Sequence, residues 1–322
     1  MTARYLLTKL ATLALTLFAV VTFNFLLFHV LPGDPVHLMA RSGHLDADAQ
    51  AELTRLFGLD RPLFVQYLIY LKDLLHGDLG FSFVYRQPVT DVLAPAMKNT
   101  LLLLGAATLV TVIAGIGLGV LAGSRANTRT DSTVVVNSLI LWSLPTFWIG
   151  LILIFVFGVW LGGLPISGIT TPGYEFSTWG HIVDVGRHLI LPTITLALVE
   201  VAEFSLITRS SLVDVMSEDY MLTARAKGLA RRVITWHHGV RNALLPVVTA
   251  TALYVGLVLG GAIQVEAVFS WPGMGLLTYK SVLARDYPVL EASFLIFSIT
   301  VILANFGADL LYRVIDPRVR QT

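Results

Sequence analysis

Six stretches of about 20 apolar residues recur along this chain, and no other feature narrows its fold as far. They run roughly from Leu10 to Leu31, Thr100 to Gly123, Val134 to Leu161, Leu189 to Thr208, Leu244 to Val265 and Ala292 to Leu311. A helix rises ~1.5 Å per residue, so each is long enough to cross ~30 Å of hydrocarbon. Lipid offers the backbone no hydrogen-bond partner, so such segments have to be helical. The expected fold is therefore an all-α integral membrane protein with six transmembrane helices. Composition agrees: 13% of residues are charged, against about 25% in soluble domains. The first stretch is too long for a signal-peptide core and has no small-residue cleavage site before Pro32-Gly33-Asp34-Pro35, so it reads as a retained anchor.

Six spans place both termini on one side, and the basic residues say which. Arg4, Lys9, Arg125, Arg129, Arg209, Arg225, Lys227, Arg231, Arg232, Arg241, Arg313, Arg318 and Arg320 share a side, 13 of the 22 Lys and Arg. The other nine are mostly spread through one long loop. By the positive-inside rule the termini and the loop 209–243 are cytoplasmic.

The expected organisation is an N-terminal end with the first helix (1–31), an extracytoplasmic amphipathic segment (32–98), a five-helix core (99–318) containing the loop 209–243, and a tail (319–322). Within 32–98, Asp46 to Gln50 opens a helix-compatible run that Gly58 can end. Pro62 then stands at an N1 position before Phe64, Tyr67, Leu68, Leu71, Leu74 and Leu75 at helical spacing. The segment reads as a pair of amphipathic helices on the outer membrane face, either a cap over the bundle or a docking surface. Gly105, Gly115, Gly117, Gly119 and Gly123 would let the second span approach a neighbour closely. Pro145, within Ser143-Leu144-Pro145-Thr146, predicts a kink in the third.

The loop 209–243 is far longer than a turn requires. Asp214, Glu218 and Asp219 come early and Arg225, Lys227, Arg231 and Arg232 late, an order suited to a helix over 219–232. Ala224, Ala226 and Gly228 leave part of its surface nearly flat, fit for a groove on another protein. From composition alone, a solvated positive loop explains the same residues.

The order Asp219-Tyr220, Thr223-Ala224-Arg225-Ala226-Lys227-Gly228-Leu229 and Arg241-Asn242-Ala243-Leu244-Leu245-Pro246 resembles the cytoplasmic coupling loop of ABC importer permeases of the dipeptide/oligopeptide/nickel family. The first position of the Glu-Ala-Ala motif is not Glu here, and 17 residues separate Gly228 from Pro246, as in the peptide branch. Leu31 to Pro35, Gly58 to Pro62 with Val65-Gln66-Tyr67, Gly77 to Gly80, Phe269 to Gly275, Asp286-Tyr287-Pro288 and Asp316-Pro317-Arg318 also stand in the family's order.

The resemblance implies a type I importer permease fold and a non-catalytic subunit moving dipeptides or oligopeptides across a bacterial-type cytoplasmic membrane. Its implied partners are a second homologous permease, two cytoplasmic ABC ATPases that hold the ATP and Mg2+, an extracytoplasmic substrate-binding protein and lipid, with no nucleic acid. Asp219, Tyr220, Thr223, Ala224, Arg225, Ala226, Lys227 and Gly228 would form the ATPase-coupling element. Nickel or glutathione import is the alternative within the family, and a proton-coupled secondary transporter the alternative outside it.

The residues fit a non-catalytic role. The chain has no G-x-x-x-x-G-K-[ST] to cradle phosphates, no cysteine, and no acid/base or metal constellation, so it should bind no cofactor itself. His29, His37, His44 and His76 lack metal-ligand spacing. Glu200, Glu203 and Glu266 are carboxylates at or near membrane depth, which by default suggests a place on the translocation pathway. Pairing with polar groups on a neighbouring helix is the competing explanation. Trp271, Pro272 and Gly273 form a rigid turn that contacts the outer mouth or the binding protein, or else an interfacial anchor.

Overall fold

The computed structural model describes residues 3–30, 60–82, 84–174 and 177–315. The helix expected over 46–58 and the tail 319–322 lie outside them. The elements are α1 (Ala3–Val30), α2 (Leu63–Leu75), β1 (Phe81–Ser82), β2 (Gln87–Pro88), α3 (Val89–Gly123), α4 (Arg129–Ser143), α5 (Thr146–Leu153), α6 (Thr178–Met216), α7 (Asp219–Ala226), α8 (Arg231–Val233), α9 (Arg241–Val268), α10 (Met274–Ala284) and α11 (Tyr287–Ile315), with π-helical turns at Ile154–Trp160 and Ile234–Val240. Among the described residues four helical segments are long and apolar enough to cross a bilayer: Leu7–His29, Val89–Gly123, Thr178–Met216 and Tyr287–Gly307. Arg129–Ser143 and Thr146–Trp160 make a fifth if taken together. The remaining apolar stretch lies on α9.

The third stretch is not the kinked rod the sequence suggests. Its two halves meet at 100°. Leu144 is extended and Pro145 caps the new helix, because proline disfavours helical geometry in the residue before it. The chain is also not wholly helical, since β1 and β2 pair as a short antiparallel hairpin. Two helices begin earlier than hydropathy indicates, α3 at Val89 rather than Thr100 and α6 at Thr178 rather than Leu189. The early turns of α6 are polar but tied down: Asp184 accepts hydrogen bonds from the Thr171 N–H at 2.7 Å and its hydroxyl at 2.8 Å.

The chain divides into two compact units, Met1–Lys98 with Leu277–Ile302, and Asn99–Leu276 with Leu303–Thr322. In the first, α2 lies along α1. Phe25 is fully buried, its ring 5.1 Å from that of Tyr67 and 5.4 Å from that of Tyr70. Asn24 Nδ2 donates to the Glu291 carbonyl at 3.1 Å, joining α1 to α11. The hairpin is held by the Ser82 hydroxyl, which donates to Asp286 at 2.5 Å. Here Pro62 is the N-cap of α2 rather than its first helical residue.

The second unit is built around α6, 56% of whose most apolar window is buried against 28% for α3. It packs against α4, α5 and α9. Gly115, Gly119 and Gly123 form a groove on α3 that receives Phe204, Thr208 and Leu212 of α6, each series repeating every four residues. Membrane helices associate by packing, so a groove without side chains is what permits this approach. An ion pair closes the same helix: Arg209 donates through Nε and Nη2 to both oxygens of Asp131, at 2.5 and 2.8 Å. Asp131 also accepts from the Asn127 N–H at 2.8 Å, so its charge has three donors.

Candidate functional site

The basic loop between α6 and α9 folds into a compact, two-sided element. Glu218 stands at the N-cap position of α7 without a side-chain capping bond, and Asp219 occupies its first turn, where a negative charge suits the helix dipole. The helix ends after Ala226, not at 232 as the charge order suggests. Lys227 N–H still bonds back to Thr223, and Gly228 then takes φ +72°, a left-handed turn that favours glycine. The chain restarts as α8 at Arg231 and runs through the π-helical turn Ile234–Val240 into α9.

One face of α7 belongs to the chain's own core. Met221 and Ala224 are buried with Ile234, and Met216 packs against them. Ala224 is therefore not part of a flat outward surface: three residues after Met221, it shares the inward stripe. The outward face carries Asp219, Tyr220, Leu222, Thr223, Arg225, Ala226, Lys227 and Gly228, all exposed. Two of them also reach back. Tyr220 hydroxyl accepts from Asn242 Nδ2 at 3.1 Å, and Asn242 donates as well to the His238 carbonyl at 2.9 Å, joining α7 to the start of α9. Arg225 Nη2 donates to the Met216 carbonyl at 3.1 Å, at the last residue of α6. Beneath, Leu212, Val240, Ala243 and Val120 form a second apolar cluster.

The intramembrane carboxylates separate into two kinds. Glu203 is exposed and Glu200 half-buried on α6, and neither has an ion pair or hydrogen bond within the described chain. Glu266 is the opposite. It is wholly buried, accepting from the Thr100 hydroxyl at 2.6 Å and the Leu276 N–H at 2.9 Å. Thr100 in turn accepts from the Met274 N–H at 2.7 Å. A Cβ on Gly273 would stand 2.2 Å from Glu266 Oε1, so the carboxyl fits only because the turn is bare there.

Trp271 is also wholly buried, its Nε1 donating to the Asn99 carbonyl at 3.0 Å, while Asn99 Nδ2 donates to the Pro272 carbonyl at 2.9 Å. Trp271 and Gly273 thus present no surface, and Pro272 is the exposed member of the motif. Sequence reasoning missed Thr100 and Asn99, which tie α3 to this turn, since nothing in a helical apolar run marks two polar residues as clamps. It missed the roles of Met221 and Ile234 as well, because a short helix leaves too few turns to reveal its buried stripe.

Residues 115–321 match the family described as binding-protein-dependent transport system inner membrane component, and residues 2–104 match its N-terminal membrane component. The chain belongs to this family. It is 42% identical over 321 residues to the glutathione transport system permease protein GsiC of Escherichia coli (strain K12), covering 98% of each chain. It is 38% identical over 304 residues to the oligopeptide transport system permease protein AppB of Bacillus subtilis (strain 168), covering 94% of this chain and 95% of that one. It is thus an ABC importer permease of the dipeptide/oligopeptide/nickel family, a membrane subunit of a type that is not itself catalytic.

Proposed function

We propose that this permease is one of two homologous membrane subunits of a peptide importer, with six spans and with both termini and the α6–α9 loop in the cytoplasm of a bacterial-type membrane. The outward face of α7 seats in a cleft of a partner ATPase, which holds ATP and Mg2+. Closure of two such ATPases swings the spans from inward-open to outward-open, and an external binding protein delivers the cargo. The observation that supports this most is the two-sided build of α7. Its buried stripe and its bonds to Met216 and Asn242 connect an exposed surface to α6 and α9. Force applied outside is thereby passed to two long helices, whereas a loose loop transmits nothing.

The proposed cargo is a short peptide. Glu200 and Glu203, unpaired within the described chain, suit the passage of a cationic amino group at membrane depth. A second reading, glutathione import, is favoured by the 42% identity to a glutathione permease. Reconstitution with the second permease, the ATPases and the binding protein distinguishes these. ATP-dependent uptake of labelled dipeptide or oligopeptide supports the first, and uptake of glutathione alone the second. Uptake that survives ATP depletion and follows the proton gradient overturns both.

A further inference from the structure

Helix α2 carries an apolar stripe that the described chain leaves uncovered. Leu63, Phe64, Leu68 and Leu75 are 45%, 70%, 49% and 87% exposed, and none of the helix's residues is fully buried. Phe64, Leu68 and Leu75 stand at i, i+4 and i+11 and so share one face. The side carrying Tyr67 and Tyr70, about a third of a turn round the helix, is bonded to α1. Tyr67 and Thr22 hydroxyls share a hydrogen bond of 2.6 Å, and the Tyr70 hydroxyl accepts from Asn24 Nδ2 at 3.3 Å.

These contacts fix the depth of α2. The apolar window of α1 runs from Leu7 to His29. Thr22 comes seven residues before His29, about 10 Å below that end at ~1.5 Å per residue. The Tyr67 hydroxyl is therefore inside the apolar layer rather than above it. Beside it on α1, Phe23 and Leu26 are exposed, as a lipid-facing side of a span is. From Tyr67 to Tyr70 the partner moves outward from Thr22 to Asn24, and the Tyr70 ring also lies 6.4 Å from that of His29. The Tyr67–Tyr70 turn of α2 thus meets the outer part of α1 through its two hydroxyls.

The geometry points to α2 as a helix embedded in the leaflet at the C-terminal end of α1, its Phe64, Leu68 and Leu75 face lying against acyl chains. Lipid is the occupant because the stripe continues the exposed side of a spanning helix at the same level. A protein arriving from water would have to displace lipid from α1 to reach it. Lys72, exposed near the end of α2, has a stem long enough to carry its ammonium to the headgroups. The two helices then form one broad wedge in that leaflet instead of a cap over the bundle. This rests on α1 being a span and is independent of cargo and of the ATPases.

The absence of cysteine makes the test direct. Phe64→Cys, Leu68→Cys and Leu75→Cys variants of the full chain, with Asp78→Cys in the exposed loop after α2 as the reference, are assembled with their partner subunits in liposomes and labelled with a nitroxide. Collision with dissolved oxygen, which concentrates in lipid, is compared with collision with a water-soluble nickel chelate. The expected oxygen-to-nickel ratio is several-fold higher at the three apolar positions than at position 78. Nickel access at the apolar positions equal to that at 78 puts the stripe in water and overturns the inference. Exclusion of both reagents means that protein covers it, which overturns it as well. Each labelled variant is first required to elute as the parent complex does, so a misfolded chain is not scored.

Discussion

Thr208 of α6 occupies the space that a side chain on Gly119 of α3 would need: a Cβ built there stands 2.4 Å from the Thr208 Cβ and 2.7 Å from the Ser205 carbonyl oxygen. The neighbouring Gly117 has nothing within 4 Å of the same position. Gly119→Val is expected to destabilise the permease by about 3 kcal/mol or more, because one of the obstructing atoms is backbone. Gly117→Ala is expected to be neutral or slightly stabilising, since it removes unfolded-state freedom from a helical position. Thermal unfolding in detergent, read by helical circular dichroism, distinguishes them. Equal losses would show that the Gly115–Gly123 groove does not set the approach of these helices.

The Asp131–Arg209 pair makes a second prediction. The Asp131 side chain is 5% exposed and that of Arg209 29%. Removing either partner strands the other, at a cost of about 3 kcal/mol for a largely buried pair. Asp131→Asn and Arg209→Leu should each lower the unfolding temperature, and the double variant should lose much less than their sum. Additive losses in that cycle would mean that the charges are not coupled.

The two faces of α7 should fail differently. Ala224→Leu overfills the Met221–Ile234 cluster, and a drop of about 2 kcal/mol in stability is expected. Leu222→Asp and Ala226→Trp alter only exposed positions, so stability should stay within about 0.5 kcal/mol while the ATPases no longer co-purify. Normal co-purification of both exposed variants would remove α7 from the ATPase contact.

For Glu266, the alanine and glutamine variants separate bonding from bulk. Glu266→Ala leaves the Leu276 N–H and the Thr100 hydroxyl without their acceptor, worth about 1–3 kcal/mol for each buried group. Glu266→Gln retains one carbonyl oxygen and should recover part of that. If the alanine variant unfolds at the same temperature as the parent, the turn at Trp271–Gly275 is held by other contacts.

The Ser82–Asp286 contact carries a pH dependence. Burial raises the Asp286 carboxyl above its ordinary value, more than the Ser82 hydrogen bond lowers it. The folded chain therefore holds that proton more tightly than the unfolded chain. This contribution is fully present below the ordinary aspartate range and is lost as pH rises through the raised value. Asp286→Asn should flatten the fall in unfolding temperature over that window, measured against the parent under the same conditions. An unchanged slope would assign the pH dependence to other groups.

Periodicity and charge carried much of this architecture in the linear chain. The apolar stretches lie on helices because a backbone in lipid must bond within itself, and of the five glycines read as a close approach, Gly115, Gly119 and Gly123 meet α6 while Gly105 and Gly117 have nothing within 4 Å. Gly228 turns the chain out of the helix, yet the charge order drew the helix across it to 232, since charge pattern is blind to a left-handed turn. Ala224 and Ala226 are chemically identical in the sequence. Which one turns inward depends on where Ile234 and Met216 stand, and those residues lie across helix ends that a helical repeat does not carry through.

The same division holds for the acids. That Glu200, Glu203 and Glu266 would be costly in a membrane follows from their chemistry and their apolar surroundings in the chain. That Glu266 is a buried clamp while Glu203 faces outward follows from folding. The donors to Glu266 come from Thr100, 166 residues away, and from a turn whose glycines make room for it. Membrane insertion is settled by summed local hydrophobicity, which any window of the sequence reports. Partners for a buried polar atom are settled by which helices come to lie side by side, and only the assembled chain brings them together.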